Sequence, residues 1–185
     1  MIENIKLSKF KIIFKNVFFM WGIISALGLI VIILLMISQF TYKDQIDKAT
    51  KNDVRFVLNW SGLDSDRIQE VTHSYSSSVS FTGDHLDAYA IKISNVSLDE
   101  LNKSNDFGNQ WYRGDKLPKN IDDAVSDIGA WRHYINWFPS EEEMHSEKIY
   151  VWASSVYYHG VRPTAYDIIL IRPADNMVFY ISTKQ

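Results

Sequence analysis

The densest group of chemically active side chains in the sequence is the stretch Gly83-Asp84-His85-Leu86-Asp87. Two carboxylates and an imidazole within four residues are the types that ligate a divalent metal or share a proton. The stretch also lies between two predicted strands, where a hairpin must turn, and glycine and aspartate are the residues that turns prefer. We therefore interpret these residues as turn chemistry first, and keep Asp84, His85 and Asp87 as an alternative polar site.

Alternating serines precede this group and raise the question of a serine hydrolase. Such an enzyme needs a serine that is activated by a histidine, which a carboxylate in turn orients. The residue types are present, but no strained turn presents a single serine, and alternation is typical of the solvated face of a strand. The chain has no cysteine, which excludes thiol chemistry, disulfides and cysteine-bound zinc. We predict no catalytic residue, no metal and no cofactor.

The segment Trp111-Tyr112-Arg113 is the candidate for binding another protein. These three residue types are enriched at interaction hot spots, because they bury large rigid surfaces and still form hydrogen bonds. They lie in a stretch rich in Asn, Asp and Gly that is predicted to be a loop, where function tends to concentrate. The competing interpretation is that Trp111 packs into the core and Arg113 pairs with Asp115.

The longest apolar stretch, residues 17–40, has 24 residues and no charge. A helix of that length reaches about 36 Å and can cross a hydrocarbon core of about 30 Å. A cleavable signal peptide has a shorter apolar region that ends in a small-x-small site. Residues 37–40, Ile-Ser-Gln-Phe, do not fit such a site. We expect an uncleaved transmembrane helix that anchors the chain in a lipid bilayer.

The charges on either side of this helix predict its orientation. Residues 1–16 form a basic tail with four lysines against one glutamate, whereas residues 41–53 carry three lysines against three aspartates. Positive charge resists translocation, so the tail is expected in the cytoplasm. The chain would then sit in the inner (plasma) membrane, with its C-terminal domain periplasmic or extracellular.

Beyond the helix, the hydrophobic pattern predicts a juxtamembrane stalk and one small domain. Residues 41–60 are polar and are expected to form a helical stalk, and residues 61–185 are expected to form an α+β domain outside the cytoplasm. Two alternating stretches predict a hairpin, two Ser-x-x-Glu capping boxes and a helical period predict helices, and three β-rich stretches follow. These segments are 71–81, 89–93, 97–101, 120–135, 140–143, 149–158, 166–172 and 177–182.

The order of these elements, β-β-α-(α)-β-β-β, predicts a mostly antiparallel sheet of about five strands with helices on one face. A net charge of -3 and a sequence pI near 5.9 argue against a nucleic-acid partner. The leading hypothesis is a membrane-anchored module without enzymatic activity that binds an envelope protein in an assembly, inhibitory or immunity role. The alternative is a membrane-tethered hydrolase acting on an envelope substrate.

Overall fold

A computed structural model describes residues 2–41, 43–78, 80, 82–102 and 110–185, with side chains of the first helix described from 15 to 37. The chain divides into two compact units, Met1–Tyr42 and Lys43–Gln185. The expected binding segment 111–113 and the expected polar site 84–87 both fall within the second unit and within the described residues.

The first unit contains one helix, α1, which runs from Ile2 to Thr41. Its segment Lys15–Ile37, 23 residues long, is long and apolar enough to cross a membrane by length and composition. The sequence placed the apolar span at 17–40, which overlaps most of this segment. The basic tail continues the same helix, because no proline or glycine interrupts the chain before Gly22.

The second unit is built on one antiparallel sheet, which has seven strands among the described residues. Every pair of neighbouring strands runs antiparallel. The order across the sheet is β1-β2-β3-β7-β6-β5-β4. The strands are β1 (Gln45–Ile46), β2 (Ile68–Ser76), β3 (His85–Ile93), β4 (Tyr112–Arg113), β5 (Tyr150–His159), β6 (Arg162–Arg172) and β7 (Met177–Lys184).

The α+β class is confirmed, and each of the five longer strands overlaps a stretch that the sequence predicted as a strand, although β2 begins and ends earlier than predicted and β3 begins earlier, at His85. The two strands that the sequence missed, β1 and β4, have two residues each and flank the others at the edges of the sheet. A pair of residues is too short to show a period of two, so alternation could not have revealed them. The sheet therefore extends beyond the expected five strands on both sides.

The helices lie on both faces of the sheet, not on one face as expected. In β3, Leu86, Ala88 and Ala90 belong to a core shared with α4 (Lys119–Asp127) and α5 (Glu141–Met144). The odd-numbered residues Ile91 and Ile93 belong to a second core, shared with α2 (Arg55–Trp60) and α3 (Leu98–Asn102). Successive strand residues point to opposite faces, so the two cores lie on opposite sides. The wholly apolar run in β6 is the sequence signature of this double burial.

The stretch expected to be a helical stalk is instead part of the folded domain from Lys43 onward. Gln45–Ile46 form a strand against β2, and only the six residues of α2 are helical. Val54, Val57 and Leu58 are fully buried in the second core. Their spacing places them on one side of a helical turn, and burying that side stabilises the segment more than a solvated helix would.

The predicted helix starts are partly confirmed. The Ser97-x-x-Glu100 box is closed in both directions, with the Glu100 N–H donating to Ser97 Oγ at 3.2 Å and the Ser97 N–H donating to Glu100 Oε2 at 3.0 Å. The helix expected over 120–135 is shorter, since α4 ends at Asp127 and a 3₁₀ turn follows. At the third start, Ser140 caps α5 while Glu143 bonds Arg172.

Candidate functional site

The segment predicted as a binding loop forms the edge strand β4. Trp111 is only 6% exposed and packs in the second core, and Tyr112 packs against the first. Arg113 forms an ion pair with Asp115, in which the Arg113 Nη2 to Asp115 Oδ2 distance is 2.8 Å. Packing and pairing therefore account for all three side chains, as the competing interpretation had it. These residues matter for the candidate site because β4 pairs with only part of its neighbour β5.

Strand β4 covers only the beginning of its neighbour β5. Tyr112 pairs with Val151 and Arg113 pairs with Tyr150, and the Gly114 N–H then donates to the Ile149 carbonyl at 2.8 Å. Strand β5 continues for eight residues, 152–159, and no described residue forms a ladder with their outer side. Eight extended residues span about 26 Å of strand, and the described part of the chain leaves the outward backbone donors and acceptors of that side unpaired.

The open part of β5 is free of charge and exposes large side chains at its far end. Residues 150–161 contain no Asp, Glu, Lys or Arg. The exposed fractions are 64% for Tyr157, 38% for Tyr158 and 89% for Val161 in the following turn. The Tyr158 hydroxyl donates to the Asn120 carbonyl at 2.7 Å. Natural proteins usually place lysine or another charge on such an edge to prevent pairing.

A small cleft of about 230 Å³ accompanies the open edge. It lies between the outer side of β5 and the start of α4, and its walls combine apolar and hydrogen-bonding groups. The residues around it are Gln110, Tyr112, Asn120, Ile121, Ala153, Ser154, Ser155 and Val156. A strand laid against β5 would point every second side chain toward one face of the sheet, and this cleft offers that side chain a place.

Glycine is required where β4 turns away from β5. A Cβ built on Gly114 would lie 2.2 Å from the Met144 carbonyl oxygen and 2.6 Å from that of Ser146. No side chain tolerates such a contact with backbone. The close approach fixes the end of β4 against the start of β5, after which the chain turns through 3₁₀ residues to Lys116 and enters α4.

The expected polar residues at 84–87 lie at the β2–β3 turn and the start of β3. Asp84 and His85 line a cleft at this turn. Asp87 lies two positions after His85, on the same face of β3, and accepts a hydrogen bond from the Ser76 hydroxyl. Gly83 has a φ of +82°, which confirms the predicted turn. The structure thus assigns these carboxylates to different surroundings and does not bring them together as one ligand set.

Two histidines contact a serine, as the hydrolase alternative requires. His145 Nε2 lies 3.5 Å from Ser126 Oγ, but the same ring nitrogen faces Asp122 at 3.1 Å, so the carboxylate does not orient the ring from the other side. His85 Nε2 lies 3.3 Å from Ser182 Oγ, while His85 Nδ1 faces the Gly83 carbonyl at 3.2 Å, so a carbonyl and no carboxylate orients the ring. Ser182 belongs to β7, which forms ladders with β3 on one side and β6 on the other. Those ladders occupy the backbone N–H groups around Ser182, which could otherwise stabilise an oxyanion.

The histidines lie on separate elements. His145 pairs with Asp122 at 3.1 Å, and His73 lies 3.6 Å from Asp47. His133 packs on Tyr134, and His159 is exposed at the end of β5. Across the described residues no group of three His, Cys, Asp or Glu side chains could hold a metal ion.

The sequence carried one signal for the open edge that motif reasoning missed. A β-rich run of twelve residues without a formal charge, 150–161, is unusual for a strand at the edge of a sheet. Its position at the edge depends on the order of strands, which no local pattern reveals. Comparison with protein-family models, curated proteins and solved structures finds no match.

Proposed function

We propose that this chain is a membrane-anchored binding protein whose domain captures an extended segment of a partner protein along the open edge of β5. The observation that carries the proposal is the outer side of residues 152–159, with which none of the described residues pairs and beside which a cleft lies. Added strands gain main-chain hydrogen bonds from such an edge, and pockets beside it select side chains.

The chemistry of the edge defines the partner segment. Burying a charge against the uncharged strand would cost free energy without a compensating partner, so the segment is expected to be extended and uncharged where it pairs. Tyr157 and Val161 add exposed apolar surface at the far end, which fits a segment that ends in an apolar or aromatic side chain. The role that this predicts is assembly, inhibition or immunity, with no reaction catalysed.

The anchor belongs to the same proposal. Residues 17–40 would cross the inner (plasma) membrane, with the basic tail of residues 1–16 in the cytoplasm and the domain from Lys43 onward in the periplasm or outside the cell. The uncharged helix and the four lysines before it support this orientation. The partner would then be an envelope protein that presents its extended segment in the same compartment.

Site-specific photo-crosslinking in native membranes tests the proposal directly. A photoreactive phenylalanine analogue replaces Tyr157 on β5, and a matched variant carries it at Gln69, an exposed position on β2 at the other side of the sheet order. The expected result is a discrete crosslinked protein from position 157 and none from position 69. A product at twice the mass of the chain would assign a second copy as the partner.

Introducing a positive charge on the open edge of β5 is the second test of the proposal. Ser154→Lys is expected to abolish the crosslink from position 157, and the double variant Ser154→Lys/Tyr157→Lys is expected to lose the co-purified partner, because a lysine on an edge strand opposes pairing. Both side chains are exposed, so the fold is expected to survive. Gln69→Lys is the matched control. Partner capture that persists in the folded double variant, or equal crosslinking from both positions, would overturn the proposal.

A further inference from the structure

A cleft of about 550 Å³ lies at the β2–β3 turn, away from the edge of β5. Three aromatic side chains and two carboxylates line it, namely Tyr75, Trp131, Tyr134, Asp44 and Asp84. We propose that this cleft binds an alkylated ammonium cation, the trimethylammonium group of choline being the type case. This ligand site is separate from the proposed partner-binding edge and does not depend on it.

The aromatic rings form one continuous wall. The centroids of Tyr75 and Tyr134 are 5.2 Å apart with a tilt of 31°, and those of Trp131 and Tyr134 are 6.4 Å apart with a tilt of 35°. Tyr75 is 4% exposed and forms the fixed part of the wall, whereas Tyr134 is 45% exposed. The negative face of an aromatic ring attracts a cation within about 6 Å of its centroid, and weakly hydrated alkylammonium groups are the ligands such walls hold best.

The carboxylates give the cleft its charge. Asp44 Oδ2 accepts from the Tyr75 hydroxyl at 2.7 Å, and Asp44 Oδ1 accepts from the Ser78 N–H at 2.9 Å. The hydrogen bond from Tyr75, followed by that from Ser78, lowers the pKa of Asp44, so this carboxylate is ionised at neutral pH. Asp84 accepts from the Thr82 hydroxyl. Lys184 and His85 also line the cleft, in which two carboxylates stand against the one lysine ammonium.

The composition of the wall selects among cations. A metal ion needs several oxygen or nitrogen ligands at short range, and no such group exists among the described residues. A bare ammonium is strongly hydrated, and rings cannot replace the hydrogen bonds that it would lose. A trimethylammonium group donates no hydrogen bond and presents methyl groups to the rings, while its charge faces Asp44 and Asp84. The cleft therefore fits the alkylated cation best.

The test compares choline with its neutral isostere, 3,3-dimethyl-1-butanol, which has the same shape and no charge. The full-length protein is purified in a maltoside detergent, which has no choline group, and each probe is titrated by saturation-transfer NMR and calorimetry. We expect saturable binding of choline and an affinity about 10-fold lower for the isostere, because only the cation interacts with the ring faces. Equal affinities, or no saturable binding of choline, would overturn the inference.

Variants of Tyr134 assign the binding to this cleft. Tyr134→Leu removes the ring and is expected to lower the affinity for choline about 10-fold, whereas Tyr134→Phe keeps the ring and stays within about threefold. Tyr157→Leu alters an exposed tyrosine elsewhere and is the matched control, with no expected change. Undiminished binding by folded Tyr134→Leu would overturn the assignment. Ser154→Lys is expected to bind choline normally, which separates this site from the β5 edge.

A third probe distinguishes the two sources of the group. Glycerophosphocholine is the water-soluble headgroup of a choline lipid, and its phosphate can reach Lys184 or His85, which also line the cleft. Tighter binding than choline would assign a lipid headgroup as the natural ligand. Weaker binding would assign the free cation. Both outcomes keep the ammonium chemistry that the wall and the carboxylates define.

Discussion

The two edges of the sheet are finished in opposite ways. At one edge, β1 covers the end of β2, and Asp47 then continues the ladder by accepting from the Ser74 N–H at 2.9 Å while its own N–H donates to the Ser74 carbonyl at 2.8 Å. At the other edge, β4 covers two residues of β5 and turns away at Gly114. Both cover strands have two residues, yet only the first is extended by a side chain that satisfies the backbone beyond it.

Charge separates the edges further. Strand β2 carries Glu70, and an acidic side chain on an outer strand opposes the approach of another strand. Strand β5 has none along its whole length. Both strands contain bulges, so irregularity alone does not distinguish them. A two-residue edge strand therefore protects the neighbouring strand from pairing only where side-chain caps and charged residues protect the rest of that strand. This difference favours β5 over β2 as the strand that binds the proposed partner.

The largest expected effect comes from Gly114→Ala, which breaks the attachment of β4. The new Cβ would collide with the Met144 carbonyl oxygen, so β4 or α5 must shift, and we expect a loss of about 2–3 kcal/mol in the free energy of unfolding. Urea unfolding of the full-length protein in detergent measures this loss. Gly129→Ala is the matched control, because its Cβ would meet only Glu141 Oε2 at an ordinary 3.6 Å. Equal losses of unfolding free energy in Gly114→Ala and Gly129→Ala would show that the close approach of Gly114 to the Met144 carbonyl does not affect stability.

The next effect comes from Asp47→Ala at the protected edge. Asp47 has a φ of +51°, which aspartate and asparagine tolerate better than alanine, and its carboxylate satisfies the Ser74 N–H. Loss of both contributions is expected to cost about 1–2 kcal/mol of unfolding free energy. Asp47→Asn keeps the backbone preference and an acceptor oxygen, so it is expected to unfold close to the wild type. Equal stabilities of Asp47→Ala and Asp47→Asn would refute the proposed role of the Asp47 side chain as a hydrogen-bond acceptor for the Ser74 N–H.

How much of this architecture the sequence predicts depends on the range of each signal. The long strands are predicted by local patterns of apolar and polar residues. The unbroken apolar run in β6 even indicates that both faces of this strand are buried. The Ser97–Glu100 capping box was predictable for the same reason, since both partners are three residues apart. Tyr157 was not singled out, because its importance comes from β5 lying at an edge. Strand order is a long-range property that periodicity does not carry.

The candidate sites divide along the same line. Adjacent residues suggested one polar site at 84–87, but Asp84 accepts from Thr82 in the turn whereas Asp87 accepts from Ser76 on β2. The cleft instead joins Asp84 to Asp44 and Tyr134, which lie 40 and 50 residues away in the sequence. Only the folded chain brings these side chains together, so no motif could have named them.

A smaller, pH-dependent effect concerns the start of β2. Arg67 bonds both carboxylate oxygens of Glu100, at 2.7 and 3.0 Å, and this holds the pKa of Glu100 down at about 2. A lowered pKa in the folded state means that the stabilisation is present above the ordinary carboxyl pKa and is lost as the pH falls toward 2. Glu100→Gln is therefore expected to lose about 1 kcal/mol near pH 7, since the pair is partly exposed and screened.

Thermal unfolding across pH checks this expectation. The difference in melting temperature between the wild type and Glu100→Gln should shrink steadily between pH 5 and pH 2. Asp66→Asn, which alters the exposed Arg55–Asp66 pair, should melt at the same temperature as the wild type at every pH. A difference in melting temperature between the wild type and Glu100→Gln that stays constant with pH would mean that Glu100 stabilises the fold by packing and not by charge.

The smallest expected effect concerns hydrogen exchange of single backbone amides at the two edges. Amide hydrogen exchange of the partner-free protein should be fast for the outward N–H groups of residues 152–159, because an unpaired edge offers them only water. The Ser74 amide at the opposite edge should be protected, and Asp47→Ala should release it. Slow exchange along the whole of β5 would mean that another part of the chain already covers this edge, and strand addition would then require that cover to be displaced.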